Sequence, residues 1–417
     1  MSPILGEAIM DIRIDIERLR RDLEELGGIG RDERGGVSRP SFSPADLEAR
    51  AWLRRRIEEA GLCYRLDGAG NQFGRLECAG KTVMAGSHID TVPNGGPFDG
   101  AAGVLAALEA ARRIVEEKVP LKRAVEVASF TDEEGNLVGD FLGSRAFLGL
   151  LDGAEVRDGR TSFGLPFREV LERTGFTVDG ILAAHRDRPD LEAYLELHVE
   201  QGPLLDDEGV PVGLVERFAG KHYRQCAFVG ESGHAGTTPL ELRRDAFLGL
   251  ADFALKATRL VATRHYGSML TVGKAALHPG SFSVIPGRAD FTLEFRSVSA
   301  EDLAAIESEV FALAEDVAST RGLSFVSRVV DRTAPVAVAP RLLDLMEEEC
   351  RALGYPSLRL ASGAGHDAQI LAGICDAGLI FVPSPDGISH SPAESVRWED
   401  LEKGANLLLR TLLRLAA

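Results

Sequence analysis

Short apolar segments alternate with helical segments between residues 81 and 199, and this alternation restricts the possible folds more than any other feature. The segments KTVMAGSH (81–88), RAVEVASF (123–130) and LEAYLELHV (191–199) have the length and side chains of buried strands, and residues 100–117 have a helical pattern. Alternation of this kind predicts an α/β fold in which helices cover a sheet.

The pattern changes near residue 213. From there to about residue 331 the predicted order is strand, helix, strand, strand, helix, which is typical of a small α+β sandwich. The first pattern then resumes. Because 417 residues exceed one ordinary core, we expect a first domain of residues 1–212 and 332–417 and a second domain, residues 213–331, inserted into it.

Composition excludes several classes of protein. A formal net charge of -17 argues against nucleic acid as a partner, because that binding depends on lysine and arginine. No run approaches the roughly 18 apolar residues of a membrane span. The N-terminus lacks the pattern of a signal peptide, and the five cysteines are scattered without a CxxC pair. We therefore expect a cytoplasmic protein with no membrane contact.

Histidine and carboxylate side chains follow the predicted strands. The carboxyl ends of strands in an open α/β sheet line the crevice where ligands bind, so residues far apart in sequence meet there. The candidate residues are His88, Asp90, Asp99, Glu133, Glu134, His198 and His390.

Imidazoles and carboxylates without thiolates suit zinc, manganese, cobalt or nickel. Three histidines with three acids are more than one tetrahedral ion needs, so we expect two divalent ions with Asp99 as the bridge. Of the adjacent pair, we assign Glu134 to a metal and Glu133 to proton transfer. Asp90 is placed to accept the other imidazole N–H of His88.

Structural interpretations compete with this hypothesis. A single histidine at a strand end is most often structural, and the acidic pair is most often a solvated loop. The glycines of NGGPFDGAAG are also compatible with a phosphate loop, but no GK[ST] sequence follows them. The candidate residues come from four segments of the chain, each of which follows a predicted strand. This arrangement favours the metal site.

Ten motifs in order resemble the hydantoinase/carbamoylase amidases, within the binuclear metallopeptidase and aminoacylase superfamily. They extend from about residue 16 to the end of the chain. The motifs are GGVSRPSFSPADLEAR, GNQFGRLE, GSHIDTVPNGGPFDGAAGVLAALE, FTDEEGN, LGSRAF, LELHVEQGP, GHAGTTPLELRRDA, VIPGRADFTLEFRS, SGAGHDA and SHSPAE.

This resemblance implies a mixed-sheet, metallopeptidase-like α/β catalytic domain whose inserted domain is a lid and pairs two subunits in a homodimer. It implies Glu133 as the general base and His234 as a donor to the oxyanion. The first metal would bind His88, Asp99 and His198, and the second would bind Asp99, Glu134 and His390.

The resemblance also implies the substrate contacts. Arg296 would clamp a carboxylate, and Gln201 and His366 would lie beside the substrate. Ser283 occupies the place of the asparagine that the family usually has, and a hydroxyl cannot make both hydrogen bonds of an amide. The segment GKHYR (220–224) also departs from the family pattern.

The implied reaction is hydrolysis of an N-carbamoyl-L-amino acid to the amino acid, ammonia and carbon dioxide. Alternatives are hydrolysis of allantoate, ureidoglycolate or N-carbamoyl-β-alanine, whose ureido groups also lie near a carboxylate. A binding protein without activity is a different class, but such a protein is expected to lose the base or a metal ligand, and this chain retains them all.

Overall fold

The computed structural model describes residues 11–417. The first ten residues of the predicted first domain lie outside this described part. The chain forms two compact units. The first unit contains the chain up to Glu216 together with Val338–Leu360 and Gly365–Ala417, and the second contains Arg217–Ala337 and Ala361–Ala364.

A mixed sheet forms the centre of the first unit, with the strand order β1-β2-β4-β3-β5-β13-β6 and with β12 paired to β6. Its strands are β1 (Cys63–Leu66), β2 (Gln72–Leu76), β3 (Thr82–His88), β4 (Ala124–Phe130), β5 (Leu191–Val199), β6 (Val212–Phe218), β12 (Ser357–Ser362) and β13 (Asp376–Val382). This confirms the α/β class and the mixed sheet.

The four central strands of this sheet are parallel. β3 pairs with β4 on one side and with β5 on the other, and β5 pairs with β13. All residues of β3 and β4 are buried, as expected for strands that helices cover on both faces. Their sequences are therefore nearly continuous apolar runs, which explains why they could be recognised.

Helices cover this sheet. Ser43 caps α2 by accepting a hydrogen bond from the backbone of Asp46, and Pro44 occupies its first position, which favours a helix start. The helices are α1 (Ile16–Gly28), α2 (Pro44–Glu59), α3 (Ala101–Glu116), α4 (Leu142–Leu148), α5 (Gly153–Asp158), α6 (Phe167–Thr174), α7 (Val178–Ala183), α8 (Leu204–Glu208), α11 (Pro340–Leu353), α12 (Asp367–Leu371) and α13 (Trp398–Ala416).

The four short helices α4–α7 lie between β4 and β5 and form a small core of their own. Phe167 and Ile181 are fully buried in it, and Phe42 packs against them from the N-terminal segment. These helices were not predicted from the sequence, since none is long enough to show a sustained helical period.

The second unit has a four-stranded antiparallel sheet with the order β10-β7-β9-β8 and two long helices. Phe228, Phe253 and Phe291 are buried in its core and contact one another. The elements are β7 (Gly220–Val229), α9 (Ala246–Arg264), β8 (Met269–His278), β9 (Arg288–Ser297), α10 (Ala300–Thr320), β10 (Ser324–Thr333) and the short β11 (Val336–Ala337).

The sequence prediction omitted β10, an edge strand whose side chains are mostly exposed. The five predicted elements of this unit, β7, α9, β8, β9 and α10, do occur in the predicted order. None of the helices in residues 11–417 is both long and apolar enough to cross a membrane.

Candidate metal centre and catalytic site

The structure brings the predicted metal-site residues together at the carboxyl ends of four neighbouring strands. His88 is the last residue of β3, and His198 is next to last in β5. Glu133 and Glu134 follow β4, and His390 follows β13. Because these strands are adjacent and parallel, their ends lie at one edge of the sheet.

Asp99 lies at the centre of this group, and its two oxygens face different histidines. Oδ1 lies 3.6 Å from Nε2 of His88 and 3.1 Å from Nε2 of His198. Oδ2 lies 3.2 Å from Nε2 of His390. A carboxylate that presents one oxygen to each of two groups has the geometry of a bridge between two ions.

The adjacent glutamates point to different histidines. Oε2 of Glu134 lies 3.4 Å from Nε2 of His390, whereas Oε2 of Glu133 lies 3.5 Å from Nε2 of His88. Two candidate metal groups contain Asp99, each with its ligand atoms within 4.8 Å of one another: His88, Asp99 and His198, and Asp99, Glu134 and His390. A third group of this kind, Glu196, His198 and His366, does not contain Asp99.

Backbone carbonyl groups orient two of the imidazoles. Nδ1 of His88 donates to the carbonyl oxygen of Asp90 at 3.0 Å, and Nδ1 of His198 donates to that of Val199 at 2.8 Å. In both rings the other nitrogen, Nε2, is the one that faces Asp99. Such partners of the second ring nitrogen are usual at metal sites.

The structure corrects the predicted role of Asp90, because a different atom of this residue contacts His88. Its carboxylate oxygen lies 3.6 Å from Nδ1 of His88, beyond a hydrogen bond. The carboxylate instead faces the backbone N–H groups of Glu133 and Glu134, each at 3.4 Å. Asp90 thus positions the histidine through its carbonyl and the loop after β4 through its carboxylate.

Burial and mutual repulsion disfavour the charged forms of these acids. Burial, with the neighbouring Glu134, raises the pKa of Glu133 well above its usual value. Burial, with the nearby Asp99, does the same for Glu134. Burial, with Asp46, raises the pKa of Asp90 to about 7. Nearby cations would relieve this cost, because they favour the charged carboxylates.

The imidazole of His88 also suits a metal. Burial lowers the pKa of His88 to about 4, so this ring is neutral, as a metal ligand must be. Within residues 11–417, Nε2 of His88 and Oε1 of Glu134 are buried without a hydrogen-bond partner. Both atoms belong to the predicted ligand set, and a bound ion would give each of them a partner. The residues present therefore fit divalent ions.

Two of the predicted substrate contacts belong to the first unit. Nε2 of Gln201 donates to Oδ2 of Asp99 at 2.7 Å, so this amide lies beside the metal groups. The ring of His366 packs edge-on against His198 with centroids 4.6 Å apart, and His366 is only 1% exposed. This burial favours His366 as a support for His198 over a direct substrate contact.

The other three predicted residues, His234, Ser283 and Arg296, lie in the second unit. The backbone N–H of Ala235 donates to the carbonyl oxygen of Ser283 at 2.9 Å, so the first two segments are adjacent. Nδ1 of His234 accepts a hydrogen bond from the N–H of Gly236. In the neutral ring this leaves the proton on Nε2, where it can be donated.

Sequence reasoning missed the side chains that hold Asp99 in place. Oε1 of Glu394 accepts hydrogen bonds from the backbone N–H groups of Phe98, at 2.9 Å, and Asp99, at 3.1 Å. The hydroxyl of Ser389 lies 3.0 Å from Oδ2 of Asp99 and 2.9 Å from Oε2 of Glu394. The motif SHSPAE contains both residues, but their contacts lie about 290 residues away in the chain.

Glycine is required beside the same aspartate. A Cβ atom at Gly100 would lie 2.4 Å from the imidazole of His88, and the φ angle of Gly100 is +60°. Both observations disfavour any side chain at this position. The small residues that surround His88 and Asp99 in the sequence therefore allow the close approach of the loop to the ring.

Comparison with known proteins shows which proteins this chain is similar to. The sequence profile described as "Peptidase family M20/M25/M40" matches residues 84–414. The N-carbamoyl-L-amino acid amidohydrolase of Geobacillus stearothermophilus is 38% identical over 404 residues, which cover 96% of this chain and 98% of that relative. The allantoate amidohydrolase of Escherichia coli is 34% identical over 413 residues, covering 96% and 99%.

Solved structures show the same fold. The crystal structure of an amidase of the hydantoinase/carbamoylase family from Burkholderia multivorans superimposes with a TM-score of 0.86 at 33% identity. The match covers 97% of this chain and 98% of the other. The similarity therefore extends over both units, each of which has its counterpart in the aligned chain.

The contacts of Glu394 with the backbone at Asp99 predict that a substitution of Glu394 weakens metal binding. In the variant Glu394→Gln we expect Mn²⁺ or Zn²⁺ to bind about 10-fold to 100-fold more weakly, the usual effect of losing an outer-shell partner of a ligand. The side-chain volume is nearly unchanged, so the fold should persist. Titration calorimetry of the metal-free protein measures the affinity.

The matched control is Glu399→Gln, which removes the same charge from an exposed position five residues further on. We expect the control to bind the ions as the unaltered protein does. Equal affinities in the two variants would show that Glu394 does not position Asp99.

Proposed function

The chain belongs to peptidase family M20/M25/M40, and from its site we propose that it hydrolyses the ureido group of N-carbamoyl-L-amino acids. Its relatives identify it as a hydrolase of amide C–N bonds and an amidohydrolase of the carbamoylase and allantoate type. The proposed products are the amino acid, ammonia and carbon dioxide.

A single observation carries the proposal: Asp99 lies between two groups of imidazole and carboxylate ligands. We assign one divalent ion to His88, Asp99 and His198 and a second to Asp99, Glu134 and His390. Zinc, manganese, cobalt and nickel all suit these ligands. When bound, such ions act as Lewis acids and lower the pKa of water.

Glu133 is the proposed general base. Its carboxylate is buried beside the first ligand group without belonging to either group. Burial raises its pKa and so increases its affinity for a proton. Glu133 takes a proton from the water that attacks the ureido carbon and then delivers it to the leaving nitrogen.

The second unit supplies most of the proposed substrate-binding groups, and Gln201 comes from the first unit. His234 donates its Nε2 proton to the oxyanion that forms during the attack. Arg296 binds the substrate carboxylate, a task that suits its planar, two-pronged guanidinium. Ser283 and Gln201 contact the remaining polar groups. We further propose that this unit acts as a lid and pairs two subunits into a homodimer, and that the enzyme works in the cytoplasm.

Allantoate is the second candidate substrate. The allantoate amidohydrolase of Escherichia coli matches this chain over nearly its whole length with 34% identity, only slightly less than the carbamoylase. Both substrates place a ureido group near a carboxylate, so the same metal groups and the same Glu133 suit either. Ureidoglycolate and N-carbamoyl-β-alanine share this arrangement.

Ammonia release tests the proposal directly. The metal-free protein is loaded separately with manganese, cobalt, nickel and zinc, and each form is assayed with N-carbamoyl-L-amino acids, allantoate, ureidoglycolate and N-carbamoyl-β-alanine. We expect the highest kcat/KM with N-carbamoyl-L-amino acids. A higher value with allantoate would replace the proposed substrate, and loaded protein without any ammonia release would refute the activity.

The variant Glu133→Gln isolates the proposed base. Removing a general base costs roughly 10²-fold to 10⁴-fold in rate, so we expect kcat to fall by that factor. The metal content, measured by mass spectrometry, should stay the same because Glu133 is not an assigned ligand. Glu48→Gln, an exposed position on α2, is the control. A Glu133→Gln variant with normal turnover would exclude this role.

Removal of the metals should affect both activity and stability. After chelation with EDTA we expect no turnover and a lower Tm, because the buried carboxylates repel one another and lose a ligand that stabilises the folded state. Calorimetry before and after restoring manganese measures the change in Tm. Full activity in protein shown to be free of metal would contradict the proposal.

A further inference from the structure

The motif GGVSRPSFSPADLEAR (35–50) contributes no residue to the metal groups, yet its Arg39 is 0% exposed. An arginine is rarely buried so completely unless an acid pairs with it. In the described part of the chain, the hydrogen bonds of this guanidinium go to backbone carbonyl groups and not to a carboxylate. Arg39 therefore holds backbone in place, and the position of that backbone indicates its role.

The guanidinium of Arg39 joins two segments of the chain. Its Nε donates to the carbonyl oxygen of Ile89, directly after β3, at 2.6 Å. Its Nη1 donates to the carbonyl oxygens of Leu26, at 2.9 Å, and Ile29, at 2.8 Å, at the end of α1. This helix has no basic residue in its last turn, and a cation is favourable there because the last carbonyl groups of a helix lack partners. Arg39 thus ties the chain after β3 to the end of a helix.

The backbone of Arg39 binds the same segment at a second point. Its N–H donates to Oγ1 of Thr91 at 2.9 Å, and its carbonyl oxygen accepts from the N–H of Thr91 at 3.1 Å. With the bond to Ile89, these contacts lie on both sides of Asp90 in the chain. The carbonyl oxygen of Asp90 is the group that accepts from Nδ1 of His88. Arg39 therefore fixes the backbone that orients this imidazole.

Both the charge and the shape of Arg39 suit this task. Burial lowers its pKa to about 10, whereas the carboxylates of Asp46 and Asp90 favour its charged form, so it is charged at neutral pH. Arginine presents several donors in a rigid plane and can serve carbonyl groups of two segments at once, whereas lysine donates from a single atom. A buried charge destabilises the folded state unless it is compensated, and supporting groups of this kind are what a precisely held ligand requires.

We propose that Arg39 is a positioning residue of the metal centre, which holds His88 with Nδ1 on the carbonyl oxygen of Asp90 and Nε2 towards the first metal group. The proposal rests on the proposed function for the assignment of His88 as a ligand. The orientation of the ring is a property of the metal-free protein, so it can be measured without ions and without turnover.

Two variants separate the charge of Arg39 from its shape. Arg39→Lys keeps the charge but donates from one atom, and Arg39→Met keeps most of the length and donates nothing. We expect Mn²⁺ to bind about 10-fold more weakly to Arg39→Lys and about 100-fold more weakly to Arg39→Met, because the loss of an outer partner of a ligand has effects of this size. Titration calorimetry of the metal-free proteins measures both affinities.

The imidazole provides a second measurement. NMR spectra of metal-free protein with ¹⁵N-labelled histidine show which ring nitrogen carries the proton, and His88→Gln identifies the signals of His88. In the unaltered protein we expect the proton on Nδ1, where Asp90 accepts it, and in both variants a mixture of the two tautomers. The signals of His198 should stay unchanged, because its Nδ1 donates to Val199.

The matched controls are Arg112→Lys and Arg112→Met. Arg112 is also buried, at 8% exposure, and bonds to Asp22, but it lies in α3 roughly 16 Å along the helix from the start beside Asp99. These variants should lower the Tm and leave the Mn²⁺ affinity and the signals of His88 unchanged.

A folded Arg39 variant with the affinity and the His88 signals of the unaltered protein would overturn the proposal. The same changes in the Arg112 variants would also overturn it, because they would show a general loss of stability. If Arg39→Met does not fold, Arg39→Lys alone gives the decision.

The metal-free spectra separate this proposal from the proposed function. If the unaltered protein binds no ion, the proposed metal centre is refuted, and the tautomer of His88 alone decides the role of Arg39. A single form with the proton on Nδ1 that becomes mixed in Arg39→Lys supports the positioning role. The same form in both proteins rejects it.

Discussion

The carboxylate of Asp99 is the constraint on which the rest of the site depends. Its two oxygens face His88 and His198 on one side and His390 on the other. A displacement of about 1 Å would break one of these sets. The protein therefore holds this residue from several directions: Glu394 binds its backbone N–H, and Ser389 and Gln201 contact its carboxylate. Preorganisation of this kind is what a functional site requires.

Charge balance supports the proposed dependence of the same site on cations. The permanently charged side chains nearby are already engaged: Arg50 bonds to Asp46, Gly70 and Thr131, and Arg39 donates to backbone carbonyl groups, including that of Ile89. Burial lowers the pKa of Arg39 to about 10, yet it stays charged at neutral pH. Since neither arginine reaches the ligands around Asp99, divalent ions are the natural compensation for those carboxylates.

The fold and the site could be predicted from the sequence where a local pattern also determines which residues lie close together in the folded chain. The buried strands β3, β4 and β5 were recognisable as apolar runs, and chemistry-bearing residues at their ends had to meet once the strands were adjacent. β10 was missed because most of its side chains are exposed, so it lacks the buried apolar run that marks β3, β4 and β5. Which atom of Asp90 contacts His88 depends on the direction of the backbone. The contact of Glu394 with Asp99 depends on tertiary folding. Neither contact can be recognised from the local sequence.

The site also depends on backbone conformations that few residues tolerate. Gly100, Gln201 and His390 all have positive φ angles. Gly100 follows Asp99 in the chain, and Gln201 and His390 contact its carboxylate. Residues other than glycine rarely adopt such angles unless the surrounding structure holds them there. Most substitutions at these positions would therefore lose the geometry around Asp99.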